Sequence, residues 1–443
     1  MTTAGGLGWA GIVRLGVVQA SLGAIVVLTT STLNRVMVVE LALPAMLPGA
    51  LVALHYFVQI SRPRFGYGSD TGRARTPWII GGMAVLGAGG TLASCAAMLM
   101  AYEPIAGIAL ATFAFLLIGA GVGASGTCLL VLLAATVNER RRAAAASITW
   151  IMMIAGFAIT AGTVGAFLDP FSFERLVAIT AIVAAIALVA TVLALRNIER
   201  NYATSLPAPA ADEPQTSFAD ALKQVLAEPA TRRFAAFVFI SMLAYSAQDL
   251  VLEPFAGAVM GLTPGESTQL GGTQHGGVLV GMLVVAFLGR FEGARSNVLR
   301  NVMITGCLGS ALMLLTLAAA GFARDGWPLA ATVFALGLSN GVFAVAAIGC
   351  MMGLVSEGRR QRDGTRMGIW GAAQAIAFGL GGIVGTAVVD ITRYVFGSVL
   401  YAYSIVFISQ AVMFAIAAWL AARLTQKPIN KPAHAFGVDA GTA

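Results

Sequence analysis

Charged residues are scarce in this chain. They make up 11% of its 443 residues, whereas a soluble globular domain carries about 25%. Apolar residues reach 58%, and the mean hydropathy is +0.84. Only a lipid bilayer can shield this much apolar surface from water. The composition excludes a soluble globular protein and predicts an integral membrane protein.

The chain also lacks the patterns of soluble catalysts and of nucleic-acid binders. Cys95, Cys128, Cys307 and Cys350 lie far apart in apolar runs, which indicates neither a metal centre nor a disulfide framework. No nucleotide-binding loop, zinc-ligand spacing or Ser-His-Asp order occurs. The net charge of +7 does not form basic clusters interleaved with aromatic residues. We therefore expect no enzyme, no catalytic residue, no free metal ion and no nucleic-acid partner.

Twelve apolar segments are candidates for membrane-spanning helices, which need about 20 residues each. They are residues 15–36, 41–60, 77–100, 105–137, 144–167, 174–195, 234–256, 274–289, 298–321, 328–355, 366–389 and 398–423. The eighth is short. The sequence thus predicts an all-α protein with twelve transmembrane helices.

The distribution of Lys and Arg predicts the orientation. Connections after odd-numbered spans carry only Arg35, Arg175, Arg324 and Arg393, and the other 23 of the 27 basic residues lie in the remaining connections and at the ends. Because basic loops stay in the cytoplasm, both termini are predicted to be cytoplasmic.

An internal repeat predicts two related halves. Six residues recur 218 positions later: Gly119, Gly123, Val137, Glu139, Arg141 and Arg142 match Gly337, Gly341, Val355, Glu357, Arg359 and Arg360. Duplication of a six-helix unit explains this register. The predicted parts are an N-terminal half (1–195), a cytoplasmic linker with an amphipathic surface helix (196–233), a C-terminal half (234–424) and a cytoplasmic tail (425–443).

The loop at residues 66–75, GYGSDTGRAR, resembles the loop between the second and third helices of major-facilitator transporters. Asp70 is expected to lie near a helix N-terminus and to lock one gate state. Gly72 permits a tight turn, and Arg73 and Arg75 hold the loop at the anionic inner leaflet. The alternative is a basic topogenic loop without a gating role.

Three polar residues lie together in the seventh span. Asp249 and Glu253 are four apart and share a helix face, and Gln248 is adjacent. Asp249 lies about 22 Å and Glu253 about 28 Å along the helix from Phe234, near the outer interface. One interpretation is structural, with the carboxylates meeting water or Arg35. The other is a ligand site, as an anchor for a head group or a ligand to magnesium.

Two histidines are candidate axial ligands to the magnesium of a pigment. His55 lies about 10 Å beneath the inner surface, and His275 is placed at the outer mouth of the eighth span among glycines that leave room for a flat macrocycle or a close helix. A membrane histidine can also bond neighbouring helices or carry a proton. All three roles stay open.

Four strings together resemble the PucC/LhaA family, which are light-harvesting-complex assembly proteins of purple phototrophs. These strings are NRVM with EL at 34–41, RPR with GSD at 62–70, QD with LEPF at 248–255 and GIWGAAQA at 368–375. The family is a branch of the major-facilitator fold, also called the bacteriochlorophyll delivery family. The resemblance covers nearly the whole chain and implies two six-helix halves related by a pseudo-twofold axis.

The resemblance implies a membrane assembly factor for light-harvesting complex 1 or 2 that holds bacteriochlorophyll a or delivers it to the antenna α/β polypeptides. The implied partners are those polypeptides, the nascent antenna or its complex with the reaction centre (RC-LH1), pigment-synthesis enzymes, the insertion machinery and the lipid of the bacterial inner (intracytoplasmic) membrane. It marks Arg35, Glu40, Gln248, Asp249 and Glu253 without roles, so Arg35 and Glu40 remain gate or structural candidates. Two alternatives stay open: a cation-coupled secondary transporter, with Asp249 and Glu253 as coupling sites, and a pigment-free scaffold for antenna helices.

Overall fold

A computed structural model describes residues 6–61, 75–199, 229–292, 296–323, 326–356 and 363–424. These residues form twelve helices. They are α1 (Trp9–Glu40), α2 (Met46–Val58), α3 (Thr76–Met100), α4 (Pro104–Thr136), α5 (Glu139–Leu168), α6 (Phe173–Leu195), α7 (Pro229–Ala258), α8 (Pro264–Glu292), α9 (Ser296–Ala323), α10 (Leu329–Ser356), α11 (Asp363–Phe396) and α12 (Val399–Ala422).

Length and apolarity make the chain a multi-pass membrane protein. Eleven of these helices are long and apolar enough to cross a membrane, and α2 is a shorter apolar helix. The prediction of an all-α fold is confirmed for the described residues, which form twelve helices with eleven candidate membrane spans. We call the end of the bundle with Trp9 and Ala422 the terminal face, and the end with the α1–α2 and α7–α8 connections the distal face.

The eighth span was predicted with the wrong start. Helix α8 begins at Pro264 and has 29 residues. Its first turns carry Ser267 and Thr268, which lower the local hydropathy, yet both side chains are buried and hydrogen-bonded. His275 therefore lies in the middle of α8 rather than at an outer mouth.

The helix contacts repeat between the halves. In the first half α1 packs on α5 and α6, α3 on α4 and α6, and α2 on α4. In the second half α7 packs on α11 and α12, α9 on α10 and α12, and α8 on α10. Adding six to each helix number turns one set into the other. This confirms the 6+6 arrangement of the major-facilitator type.

Two long seams join the halves. Helix α5 packs on α8, and α2 packs on α11. The α5–α8 seam depends on glycine, because a Cβ atom on Gly272 would lie 2.8 Å from the backbone nitrogen of Gly162. Helix α1 contacts α7 mainly through its distal part, from Leu28 onward.

Two local irregularities lie where α1 meets α7. Helix α1 contains π-helical turns at Leu28–Thr32 and Val36–Glu40, on either side of Leu33–Arg35. Such turns are rare and often mark functional positions. Helix α7 continues past Pro254 to Ala258. Proline removes one backbone donor from the helix.

The predicted linker is only partly described. Arg14 donates hydrogen bonds to the carbonyl oxygens of Ala194 (3.0 Å) and Arg196 (2.6 Å), so the chain after α6 packs against α1. The predicted surface helix and the predicted tail at 425–443 lie outside the described residues.

Candidate functional site

Arg35 is buried inside α1, although the charge count assigned it to a connection. Its side chain is 2% exposed and forms an ion pair with Glu40. Its Nη2 also donates to the carbonyl oxygen of Leu262 at 2.8 Å. Residues five apart do not face each other on a regular α-helix, and the π turn at Val36–Glu40 brings Arg35 and Glu40 together.

Asn34 bonds to the other half of the molecule. Its Nδ2 donates to the carbonyl oxygen of Leu250 at 2.6 Å. In a regular helix that oxygen accepts from the residue four positions later, which is Pro254 and has no N–H. Asn34 thus supplies a donor that the proline removes, which satisfies a buried carbonyl at membrane depth.

Glu253 lies beside Arg35, and Asp249 is one turn away from Glu253 on α7. The Glu253 side chain is 2% exposed, and its carboxyl group rests on Gly271 of α8, where a Cβ atom would lie 2.5 Å from Oε1. Arg35 and Asp249 are its charged neighbours. Within the described residues, neither Glu253 oxygen has a hydrogen-bond partner, nor has Asp249 Oδ1.

Gln274 completes a polar group that we call the distal cluster. It is buried on the facing helix, where its side chain lies next to Asp249. A methyl group on Gly257 would lie 2.9 Å from Arg35 Nη2, so Arg35 occupies the helix face one turn beyond Glu253. The members of the distal cluster are Asn34, Arg35, Glu40, Asp249, Glu253 and Gln274.

Gln248 points away from that cluster into the second half. Its Oε1 accepts a hydrogen bond from Asn340 Nδ2 at 3.2 Å, and Asn340 Oδ1 accepts one from Ser310 at 2.8 Å. All three side chains are fully buried. This relay ties α7, α10 and α9 together, so Gln248 has a structural task whether or not it binds a ligand.

Both ring nitrogens of His55 are occupied. The Nδ1 atom lies 3.0 Å from the carbonyl oxygen of Val52, and Nε2 lies 2.9 Å from the side-chain nitrogen of Gln59. A carbonyl only accepts, so Nδ1 carries the hydrogen and Nε2 accepts from Gln59. His55 therefore has no lone pair left for a metal in this arrangement.

His275 differs from His55 in that one nitrogen is unused. Its Nδ1 lies 2.9 Å from the carbonyl oxygen of Gly271, which fixes the hydrogen on Nδ1 and leaves the lone pair of the neutral ring on Nε2. Among the described residues, Nε2 meets no hydrogen-bond donor. Phe157 of α5 packs edge-on against the ring, with centroids 5.0 Å apart. His275 thus lies at the α5–α8 seam with a free lone pair.

Aromatic side chains line the other seam. Tyr56 of α2 lies 5.5 Å from Phe378 of α11, and Phe378 lies 6.0 Å from Tyr245 of α7, measured between ring centroids. Each of these rings is partly exposed. The boundary between the halves is therefore apolar and aromatic on its terminal side.

The predicted gate loop is described only at its last residue. Asp70, Gly72 and Arg73 lie outside the described residues. Arg75 and Thr76 donate their backbone N–H groups to the Glu199 carboxylate at 2.6 and 2.8 Å. Partial burial alone would raise the pKa of Glu199, but the hydrogen bonds from Arg75 and Thr76 outweigh it and hold that pKa below its usual value.

Carboxylates of two further residues tie the halves together at the distal face. Asp169, after α5, accepts from Thr263 Oγ1 (2.5 Å) and from the Gly265 N–H (3.2 Å) at the start of α8. Asp390 of α11 accepts from the backbone N–H groups of Ala45 (3.0 Å) and Met46 (2.7 Å) at the start of α2. Each carboxylate caps a helix of the opposite half.

Sequence reasoning missed Asn340, Glu199, Asp169 and Asp390. Asn340 carries a usable signal, since an amide inside an apolar span requires a partner. The three carboxylates carry none, because each caps a helix far away in the chain.

A family profile described as PUCC protein matches residues 32–428. The chain belongs to the PucC family. A Rhodobacter capsulatus protein named bacteriochlorophyll synthase 44.5 kDa chain is 53% identical over 415 residues, which cover 94% of this chain and 95% of that protein. Protein PucC of the same organism is 28% identical and covers 94% of this chain and 92% of its own. The resemblance in the sequence strings is confirmed.

Solved transporters share the fold. A POT family transporter in complex with a thioalcohol-conjugated peptide aligns with a TM-score of 0.67 at 13% identity, over 94% of this chain and 97% of that one. At this identity the likeness shows the fold alone.

Proposed function

We propose that this protein is a membrane assembly factor for bacterial light-harvesting complex 1 or 2, which holds bacteriochlorophyll a and delivers it to the antenna α/β polypeptides. Membership of the PucC family supports this function, as does the word bacteriochlorophyll in the name of the 53% identical relative. The protein acts without catalysis. It lies in the inner membrane with cytoplasmic termini, which puts the distal face toward the periplasm.

One observation supports this function above the others: His275 keeps a free lone pair at the α5–α8 seam, beside the aromatic ring of Phe157. A chlorin pigment offers a flat apolar ring and a magnesium ion with an open axial position, so it needs that combination. A sugar or ion carrier needs several donors and acceptors from both halves at mid-membrane.

His275 fits axial ligation better than His55. Its Nδ1–H bond to the Gly271 carbonyl orients the ring and fixes the tautomer, as backbone carbonyls do for metal-bound histidines. His55 would first have to lose its bond to Gln59. Phe157 at the ring edge adds apolar contact surface for a macrocycle.

Affinity purification from phototrophically grown cells in mild detergent tests the function. The expected result is near-infrared absorbance of bacteriochlorophyll together with the small α/β polypeptides. Antenna polypeptides without pigment would instead identify a scaffold. Recovery of the protein with no pigment and no antenna polypeptides would contradict the proposed function.

A cation-coupled secondary transporter is the second candidate, because α7 of the distal cluster carries two carboxyl groups one turn apart, and Glu253 is buried. Ion-gradient-driven uptake of a water-soluble solute into proteoliposomes, abolished in Glu253→Gln, would favour it.

A further inference from the structure

The distal cluster holds more acid than base. Arg35 is its single cation, while Glu40, Asp249 and Glu253 contribute three carboxyl groups. Arg35 is already committed, since its two terminal nitrogens bond to Glu40 and to the Leu262 carbonyl. No Lys or Arg occurs between positions 233 and 290 of the sequence to supply a second cation from the α7–α8 hairpin.

Glu253 is the member of the distal cluster whose negative charge no hydrogen-bond donor that the structure describes would offset. It is almost fully buried, and neither oxygen has a donor among the described residues. An ionised carboxylate in that position costs several kcal/mol because nothing replaces its hydration. A neutral carboxylic acid avoids most of this cost. The cluster therefore needs a cation at Glu253, and a proton is the smallest that fits against Gly271.

Arg35 has a spare donor beside this acid. Its Nε has no hydrogen-bond partner in the described part of the chain, and its guanidinium lies on Gly257, one helical turn from Glu253. Two arrangements are therefore available to Arg35. In the one observed it pairs with Glu40; in the other it turns toward an ionised Glu253.

We propose that Glu253 is a proton-binding site and that its loss of the proton draws Arg35 away from Glu40 and Leu262. On release the O–H bond of Glu253 breaks, and the proton passes to water at the distal face by way of Glu40, which is 32% exposed. The carboxylate then accepts a hydrogen bond from Arg35. Because the Arg35–Leu262 bond joins α1 to the α7–α8 connection, this exchange loosens the distal contact between the halves.

Other titratable side chains near Glu253 lie on α7 and α8. Asp249 lies one turn away on α7, with Tyr245 one turn beyond it. His275 lies one turn from Gly271 on α8, and its ring is engaged with Gly271 and Phe157. None of these offers Glu253 a hydrogen bond, so Arg35 is the group that responds to its charge.

Infrared spectroscopy of the full-length protein in lipid nanodiscs tests the site, with the proton as the only ligand. A protonated carboxylic acid has its own C=O stretching band. We expect one component of this band at neutral pH to belong to Glu253, so that it is lost in Glu253→Gln and retained in the control Asp249→Asn. In Glu40→Gln, Arg35 is released toward Glu253, and this component falls by more than half. A spectrum in which Glu253→Gln removes no component, or in which Glu40→Gln leaves the band unchanged, overturns the proposal.

A distance measurement tests the coupling to the halves. Spin labels on Tyr102→Cys and Tyr394→Cys, both exposed at the distal face of opposite halves, report on their separation in a Cys95→Ser background. We expect the separation to increase at high pH in the otherwise unmodified protein and to stay constant in Glu253→Gln, which mimics the neutral acid. The same pH response in both proteins contradicts the coupling. Neither readout involves pigment, so a negative result here leaves the assembly function untouched.

Discussion

Asp169 and Asp390 each cap a helix of the opposite half, at the two seams that the internal repeat relates. Asp169 follows α5 and caps α8, while Asp390 lies near the end of α11 and caps α2. Adding six to the helix numbers relates α5 to α11 and α2 to α8. Each of the two related seams thus has one carboxylate that bonds the opposite half at the distal face.

Removing either cap weakens the distal closure. We expect Asp169→Ala and Asp390→Ala each to lower the free energy of unfolding by about 0.5–2 kcal/mol, since the helix loses acceptors for its first N–H groups. Chemical denaturation in detergent measures the change. Glu103→Ala is the matched control, because Glu103 occupies the N-cap of α4 without a capping bond. An equal loss in the control would contradict the capping role.

The Asn34–Leu250 bond predicts a rescue. Asn34→Ala leaves a buried carbonyl without a donor and should cost about 1–3 kcal/mol of unfolding free energy. Adding Pro254→Ala restores an N–H four residues after Leu250 and should recover part of that loss. Denaturation of the two single variants and the double variant forms a thermodynamic cycle. Purely additive losses would show that Asn34 does not replace the missing donor.

Glu199 makes the terminal face sensitive to acid. Its pKa in the folded protein lies below the usual 4.5, so the stabilisation it gives is complete above that value and disappears as the pH falls through the lower folded pKa. Glu199→Gln should therefore be less stable than the unmodified protein at neutral pH, and the gap should close in acid. Thermal unfolding in detergent across pH measures it, with Glu103→Gln as the control. A gap that stays constant with pH would contradict this assignment.

Hydropathy predicted most of the fold because each span is a nearly uninterrupted apolar run. The prediction failed at the start of α8, where Ser267, Thr268 and Gln274 reduce the hydropathy but are buried against α1 and α7. Burial by neighbouring helices is invisible to a local average. The same error moved His275 from mid-helix to a supposed mouth.

The sequence predicted which residues form the site better than it predicted which of them are in contact. The sequence singled out Glu253 and named Arg35 as a neighbour it could meet, and the structure brings the two together. The Arg35–Glu40 pair was not predictable, because a π turn rather than an α-helix aligns residues five apart. The roles of these residues and of Asp70 and His55 stay predictions.

Pigment binding by purified protein in nanodiscs, titrated with bacteriochlorophyll a and followed by near-infrared absorbance, measures cargo recognition without any other cell component. We expect saturable binding that weakens at least about tenfold in His275→Leu, which is about 1.4 kcal/mol of binding free energy. His55→Leu should bind as the unmodified protein does, since the nitrogens of His55 are already engaged. Unsaturable pigment uptake, or binding that is the same with and without His275, would contradict a chlorin held at the α5–α8 seam.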